Sequence, residues 1–126
     1  SDWRFWLTST FRAFVWLRTG RHAEAIREFE SLLEQDDWTG GAIRSPAATH
    51  YNLACAYAQW GEKVEEPLRG RLRERALDHL TTAIDERWSD VGWMEEDRDL
   101  EPLRDLPRYR ALLQRVRREL DPHGGK

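Results

Sequence analysis

Cysteine is almost absent from this chain. A single residue, Cys55, stands among 126, so no internal disulfide can form and nothing points to an oxidising compartment. No apolar run reaches the roughly 20 residues needed to cross a bilayer, and the start lacks the pattern of a secretory leader. A cytoplasmic location and no membrane contact are expected. The chain opens on Ser1 rather than methionine, which fits a piece of something larger. No segment alternates apolar and polar residues as a half-buried strand does, so helices are expected throughout. Lysine is scarce: 18 of the 20 basic residues are arginine, a bias that points to a GC-rich genome more than to a function. The net charge of −3 is too small to argue for nucleic acid. Chemical signatures are missing too: no glycine-rich phosphate loop, no G-x-S-x-G, no H-E-x-x-H. His22, His50, His79 and His123 show no ligand spacing such as H-x3-H. The run Glu95, Glu96, Asp97, Asp99, Glu101 lacks the glycine and fixed acidic spacing of a calcium loop. No catalytic residue, metal or cofactor is expected.

What is present fits one helical domain. Hydrophobic residues make up 40% and charged residues 34%, enough for a core and a solvated face. The 7 tryptophans are unusual and need a packing or contact role. Asp2 to Thr19 reads as a first helix stopped by Gly20. At 100° per residue Trp3, Leu7, Phe14 and Leu17 share one face, with Phe5 and Trp16 roughly opposite, so both sides need cover. Ala23 to Gln35 forms a second helix, with Ala25, Ile26, Phe29, Leu32 and Leu33 inward. The short link Gly20-Arg21-His22 makes the two an antiparallel hairpin. Asp36 to Ser45 reads as a loop. Pro46 opens a third helix, capped by Ser45 and running to about Trp60. Pro67 opens a fourth, to about Glu86. A short helix over Val91–Glu96, a turn near Asp99–Leu103 and a last helix over Arg108–Leu120 follow, with Tyr109, Leu112, Leu113, Val116 and Leu120 inward. Asp121–Lys126 is a polar tail.

The third helix is the most distinctive. In Tyr51-Asn-Leu-Ala-Cys-Ala-Tyr-Ala-Gln-Trp60-Gly61, small residues (Ala54, Ala56, Ala58) alternate with large ones. Such a helix lets neighbours approach on several sides and is built to be clamped. The helix hairpins also recur: the closing glycines Gly20 and Gly61 lie 41 residues apart. Against the pattern W-x2-L-G-x2-Y, A-x3-F, P, the second hairpin reads His50-x2-Leu53-Ala54-x2-Tyr57 and then Ala76-x3-Leu80. The first reads Ser9-x2-Arg12-Ala13-x2-Trp16 and then Ala25-x3-Phe29, with Asp37 in place of proline. On these residues the chain resembles the tetratricopeptide repeat family. The usual period is 34. Here about ten residues, around 62–73, are inserted in the second hairpin. The phrase Trp93 to Tyr109, ending in Leu112-Leu113, resembles the segment that closes the repeat region of many bacterial members.

The resemblance implies an all-α fold: antiparallel hairpins stacked as a short right-handed superhelix of two hairpins plus C-terminal capping helices. The expected division of the single domain is 1–36, loop 37–45, 46–87, capping segment 88–120 and tail 121–126. It also implies a groove lined by Leu7, Thr10, Phe14, Leu17 and Arg18 from the first hairpin, and by Ala48, Tyr51, Cys55, Ala58 and Gln59 from the second. The expected function is non-catalytic binding of a partner protein, peptide or helix, or of a second copy as a homodimer. Trp3, Phe5 and Trp6 are interface candidates, since Trp anchors interfaces. The alternative is a structural or oligomerisation domain, within a larger bacterial signalling or regulatory protein, whose groove is filled by itself. Cys55 among alanines reads as an apolar filler rather than a nucleophile. The basic run Arg69 to Arg75 is interrupted and flanked by acids, so it reads as a solvated face and nucleic acid is not an expected partner.

Overall fold

The computed structural model describes residues 3–34, 46–88 and 90–120 (for Trp3 the backbone only). Among them every regular element is helical, so the fold is all-α. The elements are α1 (Trp3–Arg18), α2 (His22–Leu33), α3 (Pro46–Gly61), α4 (Leu68–Asp85), α5 (Val91–Glu96), a 3-10 helix (Arg98–Leu103) and α6 (Pro107–Leu120). The expected loop 36–45, the Ser45 cap and the tail 121–126 lie outside the described residues.

Gly20 turns α1 into α2. Its φ of +85° is left-handed, and the Arg21 N–H reaches back to the Trp16 carbonyl at 2.8 Å, the bond that closes a helix around a left-handed residue. The three-residue link Thr19-Gly20-Arg21 folds α2 back along α1 as an antiparallel pair, joined by Arg12 to Glu28 at 2.7 Å and by Phe14 edge-on to Phe29 at 5.5 Å. The same closure ends α4: the Trp88 N–H reaches the Ala83 carbonyl at 2.9 Å, with Arg87 at φ +82° where glycine is the easy choice.

The buried face of α1 differs from the expected one. It consists of Trp6, Ser9, Thr10, Ala13 and Leu17, while Leu7 is 51% exposed. Small residues on this face allow a neighbouring helix to approach closely, and dense packing outweighs one more large residue. Trp16 is half-buried, with the guanidinium groups of Arg12 and Arg21 5.6 and 5.3 Å from its ring.

α3 is the axis of the molecule. Every residue from Leu53 to Ala58 is buried, with α2 and α4 packed on it and the 3-10 helix against it. The inserted residues divide: 62–67 form the turn, and Leu68 to Arg73 extend α4 at its start. Arg69 Nε donates to the carbonyls of Gly61 (3.3 Å) and Val64 (3.1 Å), and Arg73 pairs with Glu62 at 3.1 Å, so part of the basic run fastens this turn. α6 lies along α4 through Arg108 to Glu74 and Asp78 and through Arg115 to Asp85. It buries Tyr109, Leu112 and Val116, but Leu120, expected inward, is 53% exposed because the helix end overhangs its neighbours.

Candidate functional site

Three of the second hairpin's expected groove residues meet the chain's own closing segment. Asp97 caps the 3-10 helix, its Oδ1 accepting the Asp99 N–H at 3.0 Å. Its Oδ2 accepts the Tyr51 hydroxyl at 2.8 Å and lies 3.8 Å from Cys55 Sγ. Gln59 Nε2 donates to the Asp99 carbonyl at 3.1 Å. Arg18, from the end of α1, grips the Asp99 carboxylate with two prongs at 2.9 and 3.2 Å. Behind this, Arg104 donates to the Asp97 carbonyl at 2.6 Å, and Trp88 stacks on Tyr51 at 4.2 Å. The segment 97–99 therefore occupies part of the space between α1 and α3. A cleft of about 490 Å3 remains beside it, lined by the expected groove residues Phe14, Arg18, Tyr51 and Cys55 together with Asn52 and the half-exposed Trp93.

The electrostatics suit a plug. The hydrogen bond and charge of Asp99 hold Arg18 above its ordinary range. Burial, helped by the Asp97 and Asp99 charges, pushes the Cys55 thiol well up. Burial raises the Tyr51 phenol too. Cys55 and Tyr51 thus stay protonated, as donors and not nucleophiles. Ligand atoms of Cys55, Asp97 and Asp99 lie within 4.8 Å of one another, a grouping that matches a metal site in outline. Their donor set is already engaged: Arg18 supplies the cation to Asp99, and Tyr51 occupies Asp97. The cluster does not fit a resident ion.

The remaining expected residues separate into core and surface. Thr10, Leu17 and Trp6 are buried. Trp6 is therefore a core residue and no surface anchor. Phe14 is half-buried against Phe29. Phe5 and Leu7 are half-exposed, and the Trp3 side chain lies outside the described residues. Two residues not singled out for contact, Phe11 at 70% and Val15 at 46% exposure, join Leu7 at four-residue spacing as one ridge along α1. That spacing was readable in the sequence.

A second polar constellation joins α3 to α4. His50 Nδ1 and His79 Nδ1 face each other at 3.0 Å, with ring centroids 5.2 Å apart. Tyr57 stacks on His79 at 5.5 Å. His50 and Tyr57 are seven apart, two turns along one face of α3, and His79 comes from the antiparallel α4. Sequence spacing cannot show a pair separated by 29 residues. Burial lowers both histidines, and for His79 the neighbouring His50 adds to burial and brings it to about 4, with Arg75 lowering and Asp78 raising it. A folded-state value below the unfolded 6.5 means the folded chain binds fewer protons in that window. Stability is therefore full above about pH 6.5 and falls as pH drops toward 4. After solvent screening of the half-buried ring, the His79 share is about 2 kcal/mol. Urea unfolding at pH 7.5 and pH 5 will show more than half of this loss, and His79→Gln will flatten the slope, leaving the smaller contributions of His50 and of His22, which burial also lowers. An equal slope in His79→Gln excludes the pair as its source.

Comparison with family models, with curated proteins and with solved structures finds no match for the chain.

Proposed function

We propose that this chain is a non-catalytic association module of the tetratricopeptide kind, and that it associates through the outer ridge of α1 with a second copy of itself. Two antiparallel hairpins followed by a closing segment suit that family reading. One observation carries the choice of surface: Leu7, Phe11 and Val15 stand exposed in a row while the space beside Tyr51 and Gln59 is taken by residues 97–99. A run of exposed large apolar side chains on one helix marks a contact surface.

The ridge is nearly its own mirror. Leu7 and Val15 lie four residues either side of Phe11, so two α1 helices paired antiparallel about a two-fold axis place Phe11 on its image. Two of the flanking cations are already paired, Arg12 with Glu28 and Arg18 with Asp99. One helix pair covers less than the roughly 1,000 Å2 of a durable interface, so the dimer is weak and concentration-dependent. On this reading the module is a structural or oligomerisation domain whose groove is taken in part by its own closing segment, the role expected within a larger signalling or regulatory protein. Sedimentation equilibrium over a wide concentration range tests it. The wild type will gain mass with concentration, and Phe11→Asp will stay monomeric while keeping its helical signal. A wild type that is monomeric throughout rules the reading out.

A further inference from the structure

We propose that the cleft beside Asp97 binds a small organic ammonium ion with an aromatic body, an arylalkylamine. The Asp97 side chain lines this cleft and the residue is only 6% exposed. A buried carboxylate is ordinarily matched by a cation. Asp97 has neutral donors instead: the Tyr51 hydroxyl on Oδ2 and the Asp99 N–H on Oδ1. The neighbouring guanidinium groups are engaged elsewhere. Arg18 directs both prongs to Asp99, and Arg104 donates to the Asp97 carbonyl rather than to its carboxylate. Among the described residues no cation forms an ion pair with the Asp97 carboxylate. A carboxylate has about four acceptor sites, so Asp97 keeps room for a further donor.

The charge of the lining points the same way. Three carboxylates (Glu96, Asp97, Asp99) and two guanidinium groups (Arg18, Arg98) border the cleft, which leaves one negative charge over. A monocation balances it, whereas a zwitterion or an anion does not. Glu96 and Asn52 make no side-chain hydrogen bond or ion pair with a described residue, so each has an acceptor oxygen to offer beside Asp97. An ammonium group carries three N–H donors. The walls suit an aromatic body. Trp93 is 51% exposed at the cleft and has no ring partner among the described residues, and the half-buried Phe14 ring borders it too. Aromatic faces attract cations and pack against other rings. A volume of about 490 Å3 lies within the usual range of small-molecule sites, about 300–1,000 Å3. The ridge residues Leu7, Phe11 and Val15 do not line the cleft, so this site does not depend on self-association.

The test uses the full chain and tryptamine as the probe. Calorimetry at pH 7.5 will show saturable one-to-one binding that weakens as salt is added. Indole-3-propionate carries the same ring with the opposite charge and will bind at least about tenfold more weakly, the loss expected when a charged hydrogen bond is missing. Asp97→Asn removes the charge while its amide keeps the cap and the Tyr51 contact, and it will weaken tryptamine more than about tenfold. Glu96→Gln and Trp93→Ala will each weaken it several-fold. Arg98→Gln removes a like charge from the lining and will tighten it. Glu96 and Trp93 are exposed, so their variants keep the test decisive if Asp97→Asn fails to fold. The proposal is overturned if tryptamine shows no saturable binding, if indole-3-propionate binds as tightly, or if affinity is unchanged in both Glu96→Gln and Trp93→Ala.

Discussion

Phe29→Ala will lower the unfolding free energy by about 4 kcal/mol, the largest single loss expected in this chain. Phe29 is fully buried on α2 and packs edge-on against Phe14 of α1. Removing the ring takes away its transfer energy, leaves a cavity between the helices, and deletes an aromatic pair worth about 1 kcal/mol on its own. A domain of this size has about 5–15 kcal/mol in total, so the variant will be near the limit of folding. Phe29→Leu keeps most of the volume and will recover all but about 1.5 kcal/mol. Urea midpoints at constant m-value measure both. A loss below about 1.5 kcal/mol for the alanine variant would show that α2 is not held against α1 as described.

Asp97→Ala comes second, at about 3 kcal/mol. Two separable effects add. The 3-10 helix loses its cap on the Asp99 N–H, about 1 kcal/mol. The buried Tyr51 hydroxyl loses its acceptor, about 1–3 kcal/mol. Asp97→Asn will cost much less, since the amide oxygen keeps the cap and the amide nitrogen can meet the Tyr51 oxygen. In a double-mutant cycle, Tyr51→Phe with Asp97→Ala will cost less than the two single changes together, because the orphaned hydroxyl is gone. Additive costs would mean that the 2.8 Å contact is not a coupled pair.

Much of this architecture was legible because local rules agreed. The stripes of α2 and α6, the glycine stop at Gly20 and the all-round apolar α3 each specify one answer. The short helix over Val91–Glu96 appears with the expected bounds. Expectation failed where competition was tertiary. On α1 both apolar stripes were expected to need cover, yet Phe5 and Leu7 stay half-exposed and the buried face includes the small Ser9, Thr10 and Ala13. Trp6, which looked like a surface anchor, is what the α1 face offers the core. Arg87 gave no turn signal, because its left-handed φ is imposed by the closure onto Ala83 and not by its own preference. The polar constellations were hardest to foresee. Tyr51 and Asp97 are 46 residues apart, Arg18 and Asp99 81 apart, and neither pair lies on one helix. Such contacts follow from how the helices stack, which composition and period do not encode.

The tie between Arg18 and Asp99 also sets an order of events. The two hairpins are made of near neighbours in sequence and can close early, at little chain-entropy cost. The segment that seals them must be brought across 81 residues; its contacts at 97–99 are polar and partly exposed at the Arg18 end, while Met94, Leu100 and Leu103 on either side are fully buried. Polar contacts that close a long loop at an exposed edge form last and open first. Native-state exchange of amide hydrogens should therefore divide the molecule into an α3–α4 unit that protects to the full unfolding free energy and a seal at residues 97–99 that releases well before it. Opening of the seal uncovers Tyr51, Cys55 and Gln59 for short intervals, while the folded hairpins stay intact.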